Sequence, residues 1–152
     1  MSVETVASRL PSESSAWTPA RIFLAVSATY HLFLGIAGFV VNQTFPLSTS
    51  AAASSGDRLL GGLLTNGWHS LLGFLLGLVS LYFAMKPKYA REAAIGIGVS
   101  QVGTVLALAL RDPSAYLLAS NGADQVVHTF TAVVGIAAGL LTRNEQRRGA
   151  PA

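Results

Sequence analysis

The chain has no cysteine, which removes disulfides, thiol nucleophiles and sulfur-bound metals, and leaves the redox compartment unreadable from sulfur. Charge is scarce too: 11% of the 152 residues are Asp, Glu, Lys or Arg, against roughly 25% in a soluble domain. A globule of this size with so little charge cannot clothe itself in water, so most apolar side chains must face lipid or other helices. The chain also lacks a nucleophile with its base, paired carboxylates, a phosphate-binding Gly-rich loop before a helix and an HExxH motif, so no enzyme class is favoured.

What is present is long apolar runs. Hydrophobic residues make up 51% of the chain, and Ile22–Val41, Gly67–Met85, Ala93–Leu110 and Gln125–Thr142 contain no Lys, Arg, Asp or Glu. Each run approaches the ~20 residues that a helix needs to span ~30 Å of hydrocarbon. The expected fold is all-α, four transmembrane helices in an up-down bundle, with a domain over 20–143 between a flexible tail at 1–19 and a second tail at 144–152. Glu4, Arg9, Pro11 and Glu13 do not make the short basic n-region of a signal peptide, so the first span is read as retained.

The net charge of +3 comes from ten basic residues spread over several short segments, not from one face, which argues against nucleic acid. Topology explains them better. Arg9, Arg21, Lys86, Lys88, Arg91, Arg143, Arg147 and Arg148 fall before the first span, between the second and third, or after the fourth, while Arg58 and Arg111 fall in the other two loops. This bias places both termini and the middle loop in the cytoplasm. Trp17, Tyr82 and Tyr89 suit the inner aromatic belt, and Trp68 and Tyr116 the outer one.

The loops carry further expectations. Ser48–Ser55 reads as flexible, and Asp57–Leu64 as a short helix along the outer interface. Asp112-Pro113 reads as a helix stop. The short loop Lys86–Glu92 predicts that spans two and three are antiparallel neighbours. Small residues recur at helical spacing, Gly35 and Gly38, Gly73 and Gly77, Gly96 with Ser100 and Gly103, Gly135 and Gly139, which lets backbones approach in lipid. Asn66 and Asn121 each stand at a helix entry, where an Asn caps free N–H groups and Asp124 favours the positive helix end.

The run Leu59-Leu60-Gly61-Gly62-Leu63-Leu64-Thr65-Asn66-Gly67-Trp68-His69-Ser70-Leu71-Leu72-Gly73, followed by Asp124-Gln125-Val126-Val127-His128, resembles a family of small bacterial four-helix membrane proteins catalogued as a domain of unknown function. The resemblance covers roughly residues 20 to 142 and implies the fold and a place in the inner (cytoplasmic) membrane, with no established activity. That family often has a second His one turn after the first, where this chain has Gly73.

Three histidines carry whatever chemistry there is. Asn66, His69, Asn121, Asp124 and His128 form a candidate ligand or polar cluster at the outer face, with Asp124 at i−4 as a partner for His128. Counted along their helices, His69 and His128 share a depth at which one haem is possible, with Arg58 and Arg111 on the side of the propionates. No cofactor is otherwise expected. His31 lies mid-span, apart from the other two, which disfavours a three-His zinc site; the identity of any metal stays open. His31 and Gln101, both about 12 to 14 Å deep, are expected to pair across two helices.

Three function classes follow. The first is a non-catalytic accessory or assembly subunit that packs against a membrane-protein partner or a second copy. The second is a haem- or quinone-associated redox protein, and the third an oligomeric transporter or channel.

Overall fold

The structure, a computed structural model, describes residues 17–110, 112 and 117–142. The expected tails at 1–16 and 143–152, together with Arg111, Pro113 and Tyr116, lie outside the described residues. Helices long and apolar enough to cross a membrane run over Pro19–Val41, Gly67–Ala84, Ala90–Ala109 and Gly122–Leu141. They are the first to fourth spans of a multi-pass membrane protein. The first begins before the uncharged run because Thr18 caps it and Pro19 fits its first turn.

Hydrogen bonds between chain-distant residues set the alternation of the helices. At one end, called here the basic end after Arg21, Lys86, Lys88 and Arg91, the Ala20 amide donates to Thr142 Oγ1 at 2.9 Å. Arg21 Nε donates there to the Ala84 carbonyl at 3.0 Å, satisfying a helix-end carbonyl that has no partner in its own helix. At the opposite loop end, Asn66 reaches Leu117 and Asn121 reaches Gly62. The buried apolar core gathers at the basic end, around Ala20, Phe23, Leu24, Ala84, Ala90, Ala94, Ile97 and Ala138.

The first span packs mainly on the second and the third on the fourth, whereas the second and third touch little. The expectation drawn from the short middle loop is corrected here, and the glycines supply the reason. A Cβ on Gly35 would meet the Phe74 backbone and one on Gly77 the Leu32 backbone, so spans one and two lie almost in backbone contact; Gly98 against Ile136 does the same for spans three and four. Gly96 and Gly103, by contrast, face open space.

The first loop departs from expectation in two places. Within Ser48–Ser55 a short helix, Thr49–Ala53, is capped by Ser48. In place of the expected helix over Asp57–Leu64, a β-hairpin runs to Thr65, with helical structure only in one 3-10 turn at Leu60–Gly62: β1 (Asp57–Arg58) pairs antiparallel with β2 (Leu64–Thr65). Gly61 and Gly62 turn it, with φ of 76° and 80°, a conformation that side chains disfavour and that breaks a helix. Asn42 ties the base of this loop, its amide donating to the Ser55 carbonyl and, at 2.9 Å, to Asp57 Oδ2.

Candidate functional site

Both capping asparagines do two jobs. Asn66, fully buried, accepts from the His69 amide at 3.0 Å through its oxygen and donates to the Leu117 carbonyl at 2.7 Å through its nitrogen. Asn121 accepts from the Ala123 and Asp124 amides at 2.9 and 3.1 Å and donates to the Gly62 carbonyl at 2.8 Å. Asp124 closes the capping box by accepting from the Asn121 amide at 2.8 Å, and its Oδ2 also accepts from the Leu64 amide at 3.3 Å. The helix entries thereby hold the hairpin as a roof over the bundle.

Under that roof lies a chamber of about 50 Å³ lined by His31, His69 and His128 together with Tyr30, Asp124 and Ser70. Depth counting along each helix separated His31 from the other two because it assumed that all spans end in one plane. Gly38 of the first span lies against Ser70 and Thr65, so the second span begins about a turn deeper than the first one ends.

The expected pairing of His31 with Gln101 is not what forms. Gln101 Oε1 instead accepts from His128 Nδ1 at 2.5 Å, and His31 Nδ1 donates to the carbonyl of Ser27 in its own helix at 2.8 Å, with Ser27 Oγ 3.2 Å away. Ser27 Oγ continues to Ser80 Oγ at 3.3 Å. The i−4 carbonyl lies within reach of a helical side chain without any interhelical fit, so it takes the His31 proton. Nor does Asp124 hold His128, since its Oδ2 is engaged by two backbone amides. In the neutral imidazoles both Nδ1 donors leave Nε2 as an acceptor. The rings of His69 and His128 stack at 6.2 Å between centroids, and His69 Nδ1 is buried without a hydrogen-bond partner.

Among the described residues, no three His, Asp or Glu side chains come together to hold a metal ion. The chamber by itself, about 50 Å³, is smaller than the ~300 Å³ at the lower end of small-molecule sites. Tyr30, Ser27 and Ser80 had not stood out in the sequence; the only trace was Ser27 one turn before His31.

The model of a family described as Domain of unknown function (DUF4383) matches residues 21–141. The chain belongs to this family. The match takes in all three histidines, both capping asparagines and the roofing hairpin. Neither curated proteins nor solved structures give a match.

Proposed function

We propose that this protein is a non-catalytic accessory or assembly subunit of the inner (cytoplasmic) membrane, with both termini cytoplasmic, that packs against a membrane-protein partner or a second copy through its third span. One observation carries the reading. Gly96, Ser100 and Gly103 share an outward face of that helix with Val99, Val102 and Leu106, which are 56%, 37% and 53% exposed, and a Cβ on either glycine would meet nothing within 4 Å. The other glycines at close approach serve contacts inside the chain. A smooth stripe of small residues bordered by apolar ones is the surface on which a second transmembrane helix approaches closely.

The absence of cysteine makes the test direct. Val99→Cys, as the one thiol, is expected to crosslink in native membranes to a second copy or to a partner that mass spectrometry identifies, and Gly103→Leu is expected to abolish the product. Monomeric, uncrosslinked Val99→Cys with an accessible thiol would refute the reading.

A further inference from the structure

A second, larger space adjoins the chamber. Between the first and fourth spans runs a groove of about 740 Å³, within the ~300–1,000 Å³ of ligand sites. Its floor includes Phe23, Ser27, His31, Thr131 and Ala138, all buried, and its rim Ile22, Val26, Val126 and Phe130, all more than half exposed. Pro19 and His31 both line it, and the twelve helical steps from one to the other give a length of about 18 Å. Tyr30, His31 and Val127 line both spaces, so the polar chamber stands at the end of the apolar groove.

We infer that chamber and groove form one binding site for a single-chain amphiphile with a quinone or quinol head, the chain lying in the groove and the head at the histidines. The chemistry of the lining selects that head. Asp124 is the one Asp, Glu, Lys or Arg among the residues lining either space, so a phosphate or carboxylate would meet a carboxylate and no basic counter-charge. The groups left without a partner are of both kinds. Tyr30 supplies a hydroxyl donor and His69 a ring with an unpaired, buried nitrogen, while His31 and His128 present Nε2 acceptors because their Nδ1 atoms already donate. Donors suit the carbonyl oxygens of a quinone and acceptors the hydroxyls of a quinol. An ordinary phospholipid would leave its charged head at the interface, where the hairpin residues Leu59, Leu63 and Leu64 close the chamber. The site stands apart from the third-span face and does not depend on the accessory reading.

Photolabelling of the full chain in phosphatidylcholine nanodiscs tests it, with a benzoquinone probe that carries a diazirine on a decyl chain. Saturable adducts are expected on the Ile22–Tyr30 and Val126–Val134 segments, competed by unlabelled decylbenzoquinone and at least tenfold less well by decanol or decanoate. Val134→Trp, which fills the groove, should cut labelling about tenfold. Tyr30→Phe, which keeps the ring, should raise the competing concentration threefold or more. Adducts spread over all lipid-facing helix surfaces, equal competition by decanol, or equal labelling of the groove by a diazirine phospholipid would each overturn the inference, and so would an unchanged competition curve for Tyr30→Phe.

Discussion

The two ends of the bundle are held by different forces. At the basic end, Ala20, Ala90 and Ala94 are fully buried beside Leu24, and small side chains let the helices close on one another. At the loop end, Ala52 and Ala119 are buried too, but most of the buried side chains are polar, Asn42, Thr65, Asn66, Ser70 and Asp124, joined by side-chain hydrogen bonds that replace what lipid cannot provide. Packing of small residues is insensitive to polarity and intolerant of volume, whereas a bonded polar network tolerates little loss of a partner, because each orphaned group is left in a medium without water. The contrast also places the chemistry: a bundle sealed by alanines at one end has its polar chamber at the other.

The largest effect should come from Asn66→Ala. It removes a helix cap, about 0.5–2 kcal/mol, and leaves the Leu117 carbonyl without its donor, about 1–3 kcal/mol more if that group stays buried. A loss of about 3 kcal/mol is expected in unfolding by dodecyl sulfate titration of mixed micelles. Asn66→Asp keeps the cap acceptor but not the donor to Leu117 and should recover about half; equal losses for the two variants would mean that the cap contributes nothing. Next comes Ala94→Leu at the basic end, where added volume has no room and should cost about 1–3 kcal/mol. Ala94→Ser, nearly the same size, should cost less than Leu in the same assay, and the reverse order would break the contrast between the ends.

The spans and caps were legible in the sequence because each follows from a local rule: uncharged runs of membrane length, and an Asn just before a helix. The hairpin at Asp57–Thr65 was not. Its leucines suit an interfacial helix, and only Gly61-Gly62, read as a turn rather than as part of an apolar run, separates the two. The company of His31 was also missed, since matched depth is a weak guide when helices end in different planes and when the i−4 carbonyl of Ser27 offers a bond at no cost in interhelical fit. Serine and tyrosine within a span carry no motif, so Ser27, Ser80 and Tyr30 emerged only with the packing.

The smallest effect is expected for the bond between Gln101 and His128. Membrane hydrogen bonds measured by double-mutant cycles average ~0.6 kcal/mol, so Gln101→Leu should cost about that much in the same titration, and a cycle with His128→Phe should return a coupling of similar size. Zero coupling would mean that the two side chains are not partners.

The central claim is that the histidines converge beneath the hairpin, and three histidines in the whole chain make it directly observable. Solid-state NMR spin diffusion on protein carrying ¹³C only in histidine, reconstituted in lipid and diluted with unlabelled chains, should give a cross-peak between the rings of His69 and His128, whose centroids lie 6.2 Å apart. The account predicts that this peak survives Gln101→Leu and disappears in His69→Phe. Three isolated histidine spin systems at long mixing time would contradict it.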